Sequence, residues 1–238
     1  MKNTLKNKNC LITGATGGIG KHIVNLLIEQ ECNVFLTSKN NSRLKNFCKS
    51  LKTKNSKINY FAADLNDSSQ ITKLIKKVKN SFTSTDILIN CAGIFQIKSI
   101  EKCTEKDFEQ IFNVNIKTPF LLSKEFAKGM KKKKWGRIVN LGSSSSYSGF
   151  KNGTLYCSSK HGILGLSRSL SDELKEYNIR VYCISPASTQ TNMAKISKDQ
   201  DYTTFLDPKE VSEFILHTIS YDSEMIIDEP RLNRMVMR

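Results

Sequence analysis

Short apolar runs that alternate with longer amphipathic stretches constrain the fold of this chain more than any other feature. Cys10-Leu11-Ile12, Val34-Phe35-Leu36, Ile58 to Ala62, Ile87-Leu88-Ile89, Arg137 to Leu141 and Val181 to Ile184 are short and mostly apolar, as strands buried on both faces are. Helical spacing separates them. Ile23, Leu26 and Leu27 lie in a stretch ending near Glu31, a polar helix runs from about Ser42 to Leu51, and a helix capped by Ser68 runs to about Ser81. Thr104-Glu105-Lys106-Asp107 reads as a capping box opening a long helix towards Lys134, and another helix carries Tyr156 and runs to about Tyr177. Asp207-Pro208 starts a last helix, since proline at the first position gives up an N–H that has no partner there. Met225-Ile226-Ile227 is the expected seventh strand. The pattern predicts an α/β chain: a doubly wound parallel sheet of about seven strands with helices on both faces. No linker, repeat or low-complexity tract divides it, so residues 1–238 are expected to form a single domain.

The net charge of +15 comes mostly from lysines spread along the chain and reads as a solvated surface rather than a nucleic-acid or membrane face. The dense run Lys131 to Lys134 ends a predicted helix, where cations oppose the helix dipole favourably. No segment approaches the ~20 apolar residues that span a bilayer, and the opening residues lack the apolar core of a signal peptide. Seven cysteines without a CxxC pair read as reduced thiols in a cytoplasmic protein. Three scattered histidines argue against a metal site.

Chemistry concentrates at three places. Thr13-Gly14-Ala15-Thr16-Gly17-Gly18-Ile19-Gly20 follows the first strand and opens a helix, so its glycines permit a tight turn and let the backbone approach a pyrophosphate at a positive helix end. Ser143-Ser144-Ser145-Ser146 follows the fifth strand. Tyr156 and Lys160, four residues apart, share a helix face, where an ammonium can stabilise a phenolate and suit the tyrosine to general acid–base work. In such sheets ligands bind beyond the carboxyl ends of the strands, where all three groups fall.

Thr13-Gly14-x-x-x-Gly18-x-Gly20, Asn90-x-Ala92-Gly93, Asn115, Ser143 and Tyr156-x-x-x-Lys160, in this order from about Leu5 to about Met193, resemble the short-chain dehydrogenase/reductase family, within it most nearly the 3-oxoacyl-carrier-protein reductases. The resemblance implies a Rossmann fold that oxidises or reduces at a carbonyl/secondary-alcohol pair. It implies that Tyr156 exchanges the proton, that Lys160 lowers the tyrosine pKa and holds the nicotinamide ribose, that Ser143 orients the substrate oxygen, and that Asn115 holds a relay water. Spacing favours Ser143 over Ser144, and the Val114-Asn115 pair favours Asn115 over Asn113. Cofactor contacts carried over by the resemblance are Gly14, Thr16, Gly18, Ile19 and Gly20 in the turn, then Asp64 and Leu65 at the adenine. They continue through Asn90, Ala92 and Gly93 near the ribose and central sheet to Pro186, Thr189 and Thr191 at the nicotinamide end. Family members commonly form homotetramers or homodimers through their two long helices.

The end of the second strand reads Thr37-Ser38-Lys39-Asn40, with no acid for a ribose 2′-hydroxyl and with a hydroxyl and a lysine suited to a 2′-phosphate, so Ser38 and Lys39 favour NADP over NAD. The chain departs from the family at Cys91, at Ala187 after Pro186, in the short segment 192–206 and at its end, which lacks the Asp-Gly-Gly signature. Lys134 suits a carrier-protein surface, whereas Tyr177 stands where a base is usual. The expected substrate is a small molecule or acyl thioester, with a sugar or nucleotide-sugar alcohol as the alternative and a non-catalytic nucleotide-binding protein as a distant one.

Overall fold

The computed structural model describes residues 4–196 and 200–235. One seven-stranded parallel sheet runs through it in the order β3-β2-β1-β4-β5-β6-β7. The strands are β1 (Asn9–Thr13), β2 (Asn33–Thr37), β3 (Ile58–Tyr60), β4 (Ile87–Asn90), β5 (Gly136–Leu141), β6 (Ile179–Pro186) and β7 (Arg231–Leu232). Between them lie α1 (Gly18–Glu29), α2 (Asn41–Ser50), α3 (Ser68–Ser81), α4 (Glu105–Phe112), α5 (Thr118–Lys133), α6 (Thr154–Leu174) and α7 (Pro208–Ser220).

Two apolar layers explain the continuous strand runs. Cys10 and Ile12 of β1 pack into one layer with Val24 and Leu27 of α1 and Ile215 of α7. Leu11, between them, enters the opposite layer with Leu74 of α3 and Leu122 and Met130 of α5. Strand side chains alternate between faces, so a sheet covered on both sides needs apolar residues at successive positions. The order reverses between β1 and β4, which opens a crevice at their carboxyl ends.

Several expected boundaries shift. Asp67, not Ser68, caps α3 by accepting from the Ser69 amide at 2.8 Å. The capping box at Thr104 and Asp107 is present, but the long helix it opens is interrupted by a π-turn at Asn113–Lys117. Pro119 lacks the N–H that would reach Asn115 across an α-helical turn, so the helix restarts as α5. The seventh strand is Arg231–Leu232, not Met225-Ile226-Ile227. Those three side chains are exposed, and Arg180 holds the backbone there by donating to the Tyr221 and Met225 carbonyls. The chain regains the edge of β6 further on, where Cys183 and Ser185 donate to the Asp228 and Pro230 carbonyls.

Candidate active site

A cavity of about 890 Å³ opens beyond the carboxyl ends of β1, β2, β4, β5 and β6. Its floor is the glycine turn. Gly14 sits at φ +66, and a Cβ there would come within 2.9 Å of the Ala92 backbone, so both conformation and space require glycine. A Cβ on Gly20 would lie 2.2 Å from the Gly14 carbonyl oxygen, which lets α1 start against the turn. No side chain caps α1, so its first amides remain available beside Thr16, Gly18 and Ile19. This uncapped cradle and the size of the cavity fit a dinucleotide's pyrophosphate.

One edge is built by the ends of β2 and β3. The Ser38 and Thr16 hydroxyls share a hydrogen bond at 2.9 Å, and Lys39 pairs with Asp64 at 2.7 Å. Leu65 and Arg43 complete that edge. Asn40 caps α2 through the Arg43 amide at 2.8 Å, which sets Arg43 in the first helical turn, facing the same space as Lys39. Towards the other end, Pro186, Thr189 and Thr191 line the cavity, with the Thr189 hydroxyl donating to the Ala187 carbonyl at 2.9 Å.

Ser143, Tyr156 and Lys160 meet in the wall between these ends. The turn after β5 places the Ser143 hydroxyl, which accepts from the Ser145 amide at 3.1 Å, on the same wall as the Tyr156 phenol. Ser145 and Ser146 are buried in the turn and brace it: the Ser146 hydroxyl accepts from the Ser143 amide at 3.1 Å. The Lys160 ammonium donates to the Leu141 carbonyl at 2.6 Å and lies 5.7 Å from the Tyr156 ring centre. Burial pushes the tyrosine up to about 12, with the nearby Ser143 hydroxyl opposing it. Burial likewise pushes the lysine down to about 8. In this arrangement the ammonium, turned to Leu141, does not lower the tyrosine below its ordinary value, contrary to the simple pair reading. Burial dominates, and it disfavours the charged form of each group.

Asn115 and Asn90 do not line the cavity. Asn115, in the π-turn, donates to the Ile94 carbonyl (3.0 Å) and the Ser159 hydroxyl (2.9 Å) and accepts from the Ile94 amide (2.8 Å). Ser159 in turn donates to the Tyr156 carbonyl at 2.7 Å, so Asn115 braces the tyrosine from behind. Gly93 stands between Asn115 and Lys160: a Cβ there would lie 3.5 Å from Asn115 Oδ1 and 3.9 Å from Lys160 Nζ. Asn90 donates to Asn140 at 2.8 Å and Asn140 to Ser167 at 2.9 Å, a chain that ties β4 and β5 to α6.

The apolar part of the wall lay beyond sequence reasoning. Phe95 meets the Tyr156 ring edge-on at 4.7 Å, and Phe150 lies 6.5 Å from it. Ile97 and Met193 continue that surface. The capping carboxylate Asp107 also receives Gln96 (2.9 Å) and Lys98 (2.5 Å), so the start of α4 fixes the loop that carries Phe95. No spacing rule points to residues in loops of this kind, whereas Arg43, four residues after Lys39 at a helix start, was within reach of one.

Among the described residues no helix is long and apolar enough to cross a membrane, and no group of side chains is arranged to hold a metal ion.

Residues 8–201 match the family described as short chain dehydrogenase. An uncharacterized oxidoreductase of Staphylococcus saprophyticus is 30% identical over 228 residues, covering 94% of this chain and 96% of the relative. A 3-oxoacyl-[acyl-carrier-protein] reductase of Buchnera aphidicola is 34% identical over 191 residues, covering 80% of this chain and 77% of the relative. A metagenomic short-chain oxidoreductase solved in complex with NADP superposes with a TM-score of 0.85 at 23% identity, covering 98% of this chain and 99% of that one. With the family's fold and a dinucleotide cradle in place, this chain belongs to the short-chain dehydrogenase/reductase family and is an NAD(P)-dependent oxidoreductase.

Proposed function

We infer that the protein interconverts a carbonyl and a secondary alcohol with NADP, and that its substrate is a 3-oxoacyl thioester. The observation that carries this reading is the convergence of Ser143, Tyr156 and Lys160 at the foot of an aromatic wall. A carbonyl oxygen between the two hydroxyls receives two hydrogen bonds there, and Tyr156 gives it a proton during reduction or takes one during oxidation. Bound NADP supplies or accepts the hydride. With its pKa at about 12, Tyr156 holds its proton through neutral pH, as a donor must. Lys160 holds the ribose. The small gap at Gly93, between Asn115 and Lys160, suits a water held by Asn115 that connects Lys160 to solvent for proton relay.

The substrate class is supported by the relative named as a 3-oxoacyl-carrier-protein reductase and by the apolar wall of Phe95, Ile97, Phe150 and Met193. That wall suits an acyl chain better than the hydroxyls of a sugar. NADP is supported by Ser38 and Lys39 at the end of β2, with Arg43 as a further cation at the same edge.

The test is turnover of a panel of 3-oxoacyl thioesters, ketones and sugar alcohols, followed by reduced-nicotinamide absorbance with both cofactors. NADPH-dependent reduction of the thioesters is expected. Turnover confined to sugar alcohols, or faster with NADH, would overturn the substrate and cofactor assignments respectively.

A further inference from the structure

The chain's unusual end reaches the cavity wall. Beyond β7, Arg234 Nη1 donates to the Thr204 hydroxyl at 3.0 Å and Nη2 to Gln200 Oε1 at 3.3 Å, with its guanidinium over the Phe205 ring at 5.2 Å. Gln200 lines the cavity, and its Oε1 also accepts from the Ser188 hydroxyl at 3.0 Å.

These partners determine how the amide is turned. A guanidinium has donors and no acceptor, so the Gln200 atom facing Arg234 must be the oxygen. That oxygen is then occupied by two donors. The Nε2 group has no hydrogen-bond partner among the described residues, and it is the part of this side chain with hydrogen bonds left to give. The neighbouring positive charge of Arg234 strengthens a donor of this kind towards an acceptor oxygen.

We propose that Gln200, oriented by Arg234 and Ser188, is a specificity-determining residue that donates a hydrogen bond to a second acceptor oxygen of the substrate, distinct from the oxygen that reacts at Tyr156. The ligand chemistry is a dicarbonyl: a reacting ketone and, further along, a thioester or carboxyl carbonyl. This rests on the carbonyl-reductase reading and narrows its substrate class. It also gives the atypical C-terminus a part in recognition.

The test compares a 3-oxoacyl thioester of N-acetylcysteamine with the matched ketone in which the thioester carbonyl is a methylene. The ratio of their kcat/KM values is measured for the wild type, Gln200→Leu, Arg234→Met and the double variant. Loss of one hydrogen bond predicts a fall in that ratio of about tenfold in each single variant. The double variant should fall no further, because both residues act through one amide. Arg234→Lys should recover part of the ratio, and NADPH affinity and Tm should hold throughout. A ratio that stays at the wild-type value in Gln200→Leu, or equal losses on both compounds with a lowered Tm, overturns the proposal. Calorimetric binding of the same pair to protein loaded with oxidised NADP reads the ratio without turnover. A wild type that prefers the dicarbonyl there through Gln200 but never reduces it would remove the reductase reading while supporting this one.

Discussion

Lys39 Nζ lies 2.7 Å from Asp64 Oδ2, so two residues that sequence comparison assigns to separate cofactor contacts are partners across one edge of the cavity. Burial alone would raise the Asp64 pKa, but Lys39 and the Asn66 amide hold this carboxyl below its usual value. Lys39→Ala therefore removes a cation and leaves an anion in its place. NADPH binding is expected to weaken by about 1–2 kcal/mol while NADH binding barely changes, as read by fluorescence titration. Asp64→Asn should tighten NADPH at low salt by freeing the ammonium, and Ser38→Asp should move preference towards NADH. Equal losses for the two cofactors in Lys39→Ala would assign the lysine to general steering.

Tyr156→Phe keeps the ring that packs on Phe95 and deletes the proposed proton donor. Turnover should fall by at least about a hundredfold, the scale of a lost general acid. NADPH affinity should persist. Near-normal turnover in this variant would remove Tyr156 from its role.

Lys160 links function to pH-dependent stability. Its pKa is lowered from 10.5 to about 8 by burial, so between those values the folded protein binds fewer protons than the unfolded chain. Stability then rises with pH across that window and is lowest, on this account, below about pH 8. Lys160→Met should abolish the rise and stabilise the protein at neutral pH by up to about 3 kcal/mol, while turnover and cofactor affinity drop. Thermal denaturation at pH 7 and pH 10 checks the sign; a less stable Met variant at pH 7 refutes it.

Arg137 is fully buried on β5 and donates to Asp222 at 2.6 Å, with Trp135 stacked against its guanidinium at 4.4 Å. Asp222→Ala leaves a buried cation unpaired and should destabilise by about 3 kcal/mol, discounted from the fully buried case because Asp222 is part exposed. Arg137→Met in the same background should recover some of that loss in urea unfolding.

Assembly is expected to use the outer faces of α4 and α5, where Phe108 and Phe120 are exposed and Phe108 stacks on Phe112 at 4.2 Å. Sedimentation should show an oligomer of the 26.9 kDa chain, and Phe108→Glu with Phe120→Glu should dissociate it. A wild-type monomer at micromolar concentration would contradict this.

Local signals in the sequence determined the fold class and the places where chemistry gathers. Cys10-Leu11-Ile12 announced a strand buried on both faces because alternation in a two-layered sheet leaves no polar position. Gly14 and Gly20 announced the cradle because backbone conformation and contact leave no room for a Cβ. Tertiary structure decided what depends on distant partners. Lys160 turned to the Leu141 carbonyl, and burial rather than its charge sets the Tyr156 pKa. The last strand formed at Arg231–Leu232 rather than at the more apolar Met225-Ile226-Ile227, because arginines on β5 and β6 hold the intervening chain outside the edge. Phe95, Phe150 and Gln200 reached the cavity from loops placed by contacts as remote as Arg234. Such pairings join residues far apart in the chain, and no periodicity or motif encodes them.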